Sequence, residues 1–258
     1  MKNKKKKIIE YWNSRAVNVN KKLSGSNDEQ LHKFETKFMN DLIKNKNKSI
    51  FDLGCGNGSF LKDLNKSKKF KRIVGIDISH NMISESKKQN LKNSKFYVSD
   101  VEQISDFKNL GKFDYVTSKR CLINLLSSKR QFLVINKIAN FLKKGGSYFA
   151  CESSSIALKN INLFRKKAGL KNIKSPWHNL YINDHVLIKK NFKNLKLIKI
   201  HNFTSTYYFV SRVVNALVCK QKKVKPKNSD LISMLAWNLD QSLKPDFSQT
   251  KIYEFKKI

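Results

Sequence analysis

Two rhythms of apolar residues alternate along the middle of the chain. Short runs rich in β-branched and aromatic residues are followed by stretches with apolar positions three and four apart, the spacings of a strand and of a helix face. Ile50, Phe51 and Leu53 form the first run, and a helical spacing starts at Phe60, Leu61 and Leu64. The next run, Ile73-Val74-Gly75-Ile76, ends in Asp77; a third, Phe96-Tyr97-Val98, ends in Ser99-Asp100. A fourth covers Phe113 to Ser118, and a fifth, Ser147 to Cys151, ends in Glu152. Helical patterns at Met82–Leu91, Ile104–Leu110 and Phe132–Leu142 separate them. Strands that alternate with helices predict an α/β fold, with a parallel sheet covered on both faces. Polar residues collect at the carboxyl ends of these strands, where open α/β sheets bind ligands.

The flanks are read in the same way. Residues 3–16 predict a helix with Ile8, Ile9, Trp12 and Ala16 on one face. The loop Ser24 to Asp28 caps a second helix over Asp28–Lys44, with Leu31, Phe34, Phe38 and Leu42 inward. After the fifth strand come a helical pattern with Ile161, Leu163 and Phe164, the loop Ser175-Pro176-Trp177-His178-Asn179-Leu180-Tyr181, and a helix near Asn183–Lys190. A strand follows at Leu195–His201. The run Ser205 to Val213 alternates too little for a surface strand and predicts a buried strand near the sheet edge. Lysine-rich residues 220–228 read as a polar hinge before a tail with one helical pattern, Leu231, Leu235, Trp237 and Leu239. The organisation expected is a helical pair over 1–45, an α/β domain over 46–218 and a basic tail over 219–258 with a short helix, which packs back onto the domain or else meets a partner.

The segment Phe51-Asp52-Leu53-Gly54-Cys55-Gly56-Asn57-Gly58-Ser59-Phe60 carries the most chemistry. Glycines at alternate positions tolerate positive φ and let backbone N–H groups approach a ligand, and the following helix aims its positive end at the same place. The spacing is G-x-G-x-G, not the G-x-G-x-x-G of dinucleotide binders. Asp77 stands nineteen residues after Gly58. That position suits an acceptor for ribose hydroxyls; it equally suits an N-cap of the next helix, a role Ser79 could fill.

As a set, D-L-G-C-G-N-G, G-I-D-I-S, S-D-V-E, F-D-Y-V and L-K-K-G-G resemble the class I S-adenosylmethionine-dependent methyltransferase family over residues 48–152. The resemblance implies a Rossmann-like seven-stranded, mostly parallel sheet with helices on both faces and an antiparallel last strand. It implies S-adenosyl-L-methionine as cofactor. Asp52, Gly54, Cys55 and Gly56 would line its methionine half. Asp77 would bind the ribose hydroxyls, Ile78 and Met82 would lie beside the adenine, Asp100 would face the adenine amino group and Val101 its ring. The N-terminal helices would form a lid, with Tyr11, Trp12, Arg15 and Asn27 as candidates, or else an aromatic helix pair. Residues 153–182 would form the substrate side.

Methyl transfer from a sulfonium is an in-line displacement, so the protein mostly supplies proximity and orientation. An alcohol or ammonium acceptor also needs a general base. His178 is the first candidate, because imidazole titrates near neutral pH; Glu152 is the second. His185 and His201 read as structural. Arg120 could grip a carboxylate or phosphate with its planar fork, Asn124 could orient a hydroxyl, and Trp177 and Tyr181 could form an apolar wall with a polar handle. The segment Ser118 to Leu125 has no proline and no Pro-Cys pair, which disfavours amino-directed and cytosine-C5 nucleic-acid methylation. R-C-L-I-N-L, W-H-N-L-Y and Y-Y-F-V-S-R resemble, loosely, bacterial enzymes acting on surface sugars or other small molecules.

Composition changes the picture in one respect. Of 258 residues, 53 are Lys or Arg and 19 Asp or Glu, a net charge of +34. Only six of the cations are Arg, and the lysines spread over helix surfaces, the mark of compositional drift. The field still favours anionic acceptors and incidental, salt-sensitive nucleic-acid binding. An RNA methyltransferase, or a cofactor-binding protein without catalysis, are the alternatives. The cysteines Cys55, Cys121, Cys151 and Cys219 show no C-x-x-C pair and no metal-ligand spacing, so reduced thiols are expected. No apolar stretch follows the basic N-terminus, and none reaches spanning length. The expectation is a cytoplasmic monomer or homodimer acting on a small-molecule acceptor.

Overall fold

The computed structural model describes residues 2–18 and 28–258; Asn27 and most of the loop before it lie outside them. The alternating rhythm becomes a seven-stranded sheet: β1 (Ser49–Leu53), β2 (Arg72–Asp77), β3 (Ser94–Val98), β4 (Phe113–Lys119), β5 (Leu142–Ser153), β6 (Leu195–His201) and β7 (Thr250–Lys257). The order is β3-β2-β1-β4-β5-β7-β6. Strands β1 to β5 are parallel, and β7 runs antiparallel between β5 and β6. The fold is thus the Rossmann-like arrangement expected. The direction of winding reverses between β1 and β4, and a crevice opens beyond their carboxyl ends.

Side chains alternate across the sheet. Phe51, Leu53, Val74, Val116 and Tyr148 join one apolar cluster; Ile50, Ile73, Tyr115 and Phe149 join another. Both faces are therefore covered, which is why β1 is buried at every residue. Around the sheet lie α1 (Lys2–Asn18), α2 (Glu29–Leu42), α3 (Ser59–Lys68), α4 (His80–Lys87), α5 (Ser128–Ile138), α6 (Ser155–Lys167) and α7 (Asp184–Ile188). Val101–Leu110 winds as 3-10 turns with non-helical breaks at Gln103 and Phe107 rather than as an α-helix.

Two expectations are corrected. Ser205 to Val213 is not a strand: α8 (Ser205–Phe209) and α9 (Asn215–Gln221) continue into each other through a π-helical turn at Val210–Val214. Aromatic and β-branched residues favour a strand, but here they are wanted on several sides at once. Tyr207, Tyr208 and Val213 pack with Leu31 of α2, Ile161 of α6 and Phe247 in a third cluster, and burial overrides propensity. The second concerns the tail: residues 219–258 do pack back onto the domain, but as part of its sheet. After α10 (Leu231–Leu235) the chain returns as β7 and fills the sheet between β5 and β6. The boundary near 218 therefore does not separate a tail from the sheet.

Candidate active site

The crevice at the switch point is a cavity of about 280 Å³. Its floor is the glycine turn. Gly54 and Cys55 both donate their N–H to the Ile76 carbonyl, at 2.8 and 2.9 Å, which fastens the turn to the end of β2. Gly54 has φ +70°, and a Cβ there would stand 2.7 Å from Cys121 Cβ and Sγ. Only glycine satisfies both conditions. Gly56 has φ +54° with nothing within 4 Å of its would-be Cβ, so backbone lies open there.

Asp77 holds the other side. Its Oδ2 accepts from Gly56 N at 2.9 Å and its Oδ1 from Ser79 N at 2.9 Å. Ser79 is the cap of α4, accepting from Met82 N at 3.1 Å, which leaves Asp77 to brace the glycine turn. Burial raises the Asp77 pKa, opposed by the N–H groups of Ser79, Gly56 and Ile78. Burial likewise pushes Asp52 to about 7, against the Thr117 hydroxyl and the Lys119 charge; Thr117 Oγ1 donates to it at 2.7 Å. Asp100 caps its own 3-10 turn through Glu102 N, at 2.9 Å, and pairs with Lys5 of α1. Asp52, Gly54, Cys55, Gly56, Asp77, Ile78, Met82, Asp100 and Val101 all line this one cavity.

Opposite them stands a wall of which the sequence disclosed only Arg120. Lys119 ends β4, Arg120 follows it, and His32 and Glu35 come from α2. The fully buried Glu35 pairs with Arg120 and, at 3.4 Å, with Lys119. Lys119 Nζ lies 2.8 Å from His32 Nδ1. Burial lowers the Lys119 pKa, with Glu35 opposing. His32, Lys119 and Arg120 all reach the cavity. No periodicity marks Glu35 or His32, because only the docking of α2 brings them to β4.

Arg120 takes φ +52°, an unfavourable conformation for a side chain with a Cβ. The surroundings hold it there. Asn124 Nδ2 donates to the Arg120 carbonyl at 2.7 Å, and Glu152 sits beneath. The Glu152 carboxylate accepts from Ser118 Oγ at 2.9 Å and from the N–H groups of Cys121, Leu122 and Ile123 at 3.2, 3.0 and 3.4 Å. Glu152 is fully buried, and burial raises its pKa to about 7 against those bonds. It does not line the cavity. The structure places it as the clamp of the Arg120–Asn124 turn.

A model of the family described as "Methyltransferase domain" matches residues 44–225. The chain belongs to this methyltransferase domain family. Protein 235L of Invertebrate iridescent virus 6, provisionally named a methyltransferase, is 28% identical over 170 residues, 60% of this chain and 61% of that protein. The alignment thus spans about three fifths of this relative's length. A Haloferax volcanii methyltransferase solved in complex with the Trm112 methyltransferase activator superposes with a TM-score of 0.61 at 14% identity, covering 96% of this chain and 97% of that one. Magnesium protoporphyrin IX methyltransferase (ChlM) of Synechocystis PCC 6803, with bound SAH, gives 0.58 at 15% identity over 98% and 100% of the two chains. At these identities the likeness is one of fold.

In this methyltransferase domain, α1 closes the cavity from above. Trp12 Nε1 donates to Asn124 Oδ1 at 3.2 Å, and Ser79 Oγ donates to Asn13 Oδ1 at 2.6 Å. Lys4, Lys5, Ile8 and Trp12 line the cavity. Of the substrate-side candidates, Arg120 and Asn124 face it, and the others do not. His178 is buried behind α1, its ring 4.4 Å from Tyr11 and 5.6 Å from Trp12 between centroids. Burial and then the Arg15 charge lower its pKa, which favours its neutral form. Trp177 stands exposed, edge-on to Tyr11 at 6.0 Å. Tyr181 accepts from Gln249 Nε2 at 3.0 Å and packs against the main core. No helix among the described residues is long and apolar enough to cross a membrane.

Proposed function

We propose that this chain transfers a methyl group from S-adenosyl-L-methionine to a small acceptor that carries an anionic or hydroxyl group, a sugar or nucleotide sugar among the candidates. The observation that carries the reading is one cavity with two chemically different sides. The carboxylates of Asp77 and Asp100 and the open backbone at Gly56 suit a nucleoside with an amino-acid arm. ChlM, of the same fold, was solved with bound SAH. The opposite side, His32, Lys119 and Arg120, suits an anion.

The residues present fit the cofactor. Asp77 would hold its ribose hydroxyls, Asp100 its adenine amino group, with Ile78, Met82 and Val101 against the ring, and Asp52, Gly54, Cys55 and Gly56 its methionine half. The cofactor supplies a methyl group already activated on a positively charged sulfur. What the chain adds is orientation, which can contribute roughly 7–11 kcal/mol. Trp12 and α1 exclude water, and Glu152 keeps Arg120 and Asn124 aimed at the acceptor. Lys119, with His32 Nδ1 2.8 Å from its Nζ, offers its charge toward an anion in the cavity. His178, whose Nδ1 has no hydrogen-bond partner among the described residues, is the candidate to take an acceptor proton, although it stands behind α1 and outside the cavity lining. A lid over a cavity this small favours a small acceptor over RNA.

Calorimetric titration with S-adenosylmethionine and S-adenosylhomocysteine tests the first half. Micromolar binding by the wild type, lost in Asp77→Ala, is the expected result. An absence of binding by a folded wild type would sink the methyltransferase reading. With binding established, weaker use of anionic acceptors by Lys119→Ala, at unchanged cofactor affinity, tests the cationic wall.

A further inference from the structure

Helix α10 and the 3-10 turn Ala236–Asn238 are amphipathic in the reverse sense. Their inward positions are Ser233, Ala236 and Trp237, whereas Leu231, Met234 and Leu235 point out, 70, 42 and 52% exposed. Leu239 follows at 54%. Leucines this exposed form an apolar ridge with no covering element among the described residues. Immediately before them, Lys220, Lys222, Lys223, Lys225 and Lys227 are all exposed. The acidic residue between the two groups, Asp230, is engaged by the backbone N–H of Lys227 and by Asn215 Nδ2, at 2.8 and 2.9 Å.

We propose that this ridge is a docking surface for an anionic lipid bilayer, the leucines and Met234 entering the acyl boundary and the lysines meeting the headgroups. Three arguments select that occupant. A second copy of this chain would bring another +34 charge against the first. Apolar side chains this exposed can enter a fluid interface without a preformed complementary surface. Apolar residues beside a run of lysines are the pattern of helices that lie in the plane of a charged membrane surface, each lysine near it worth about 1 kcal/mol. The ridge is tied to the cavity as well. Trp237 stacks on Tyr207 at 3.7 Å, and the Tyr207 hydroxyl donates to Asp28, the N-cap of α2. The element that brings His32 to the cavity and Glu35 to Lys119 and Arg120 is therefore braced by the one that would meet the bilayer.

The test is co-sedimentation of the full chain with phosphatidylcholine vesicles, with and without phosphatidylglycerol, at about 0.15 M salt. Binding to the anionic vesicles alone is expected. The pair Leu231→Ser and Leu235→Ser should weaken it by roughly tenfold or more, and charge reversal at Lys222, Lys223 and Lys225 should abolish it. Both variants alter exposed side chains, and unchanged binding of S-adenosylhomocysteine, or an unchanged thermal midpoint should that ligand not bind, verifies their fold. Equal vesicle binding by wild type and the leucine variant would overturn the proposal and leave only the general field. So would loss of oligoribonucleotide binding by the leucine variant while vesicle binding stayed intact, since the ridge would then serve RNA.

Discussion

At the scale of single residues, Glu152 shows how one side chain can set a site without touching a ligand. It gathers a hydroxyl and three backbone N–H groups into a buried carboxylate. Burial nevertheless wins, and the pKa stands at about 7 instead of 4.5. A raised carboxylate binds more protons in the folded than in the unfolded chain between those values. Its contribution is therefore favourable at low pH and is lost as pH rises from 4.5 through about 7. The full loss is on the order of 3 kcal/mol. In Glu152→Gln that term vanishes. Urea denaturation of both proteins across this window should show the wild type losing stability relative to the variant as pH rises. Parallel curves would mean that Glu152 titrates near its ordinary value. The amide offers an N–H where Ile123 N needs an acceptor, so the Arg120 turn should also loosen, and an acceptor assay should then show KM rising more than kcat falls.

At the scale of elements, α1 is the part that owes its existence to docking. Its first turn has no acidic residue, and the lysines that begin it oppose the helix dipole. Such a helix is marginal alone. It is held by Trp12 to Asn124, Asn13 to Ser79, Tyr11 against His178 and Lys5 to Asp100. Trp12→Ala should let α1 open while the sheet stays intact. S-adenosylhomocysteine should then leave faster, by about tenfold or more, with protection of the α1 amides against exchange lost and that of β1 unchanged. Unaltered dissociation would show that α1 is not the lid. The same contrast explains what could be read in the sequence. Strands β1 to β5 were legible because each is a short apolar run between a glycine or polar break and a helical spacing. The residues from Asp52 to Val101 that line the cavity were legible because the strand ends deliver them in order. Ser205 to Val213 was misread because its aromatic and β-branched residues suit a strand, and only the third cluster reveals that they are needed around a helix. β7 was missed although Tyr253 and Phe255 alternate with Glu254 and Lys256, since nothing local says that a terminal strand enters mid-sheet. Glu35 and His32 had no signal at all before α2 was docked.

At the scale of the whole molecule, the question is what a charge of +34 does to the fold that carries it. Part is neutralised locally: Arg130 pairs with Glu102, Lys143 with Asp114, and buried Lys251 with Asp184 and Asp246. With 53 cations and 19 anions, most lysines have no acidic partner to take. They repel one another across the surface, and compaction brings them closer. Self-repulsion acts over distances that ions screen, whereas Lys251 and Glu35 are buried with their partners and are screened little. Added sodium chloride should therefore stabilise this protein, where it leaves a charge-balanced domain nearly unchanged. From about 0.05 to about 0.5 M the gain should be on the order of 1 kcal/mol, read as a rise of about 3 °C in Tm. The same salt should weaken binding to oligoribonucleotides steeply, because that binding is driven by counterion release. Binding of S-adenosylhomocysteine should barely change, since its contacts would lie in a crevice covered by α1 rather than on the lysine-rich surface. A Tm that falls with salt would show that surface ion pairs outweigh the repulsion, and the excess of lysine would then have to be organised by the fold rather than spread over it.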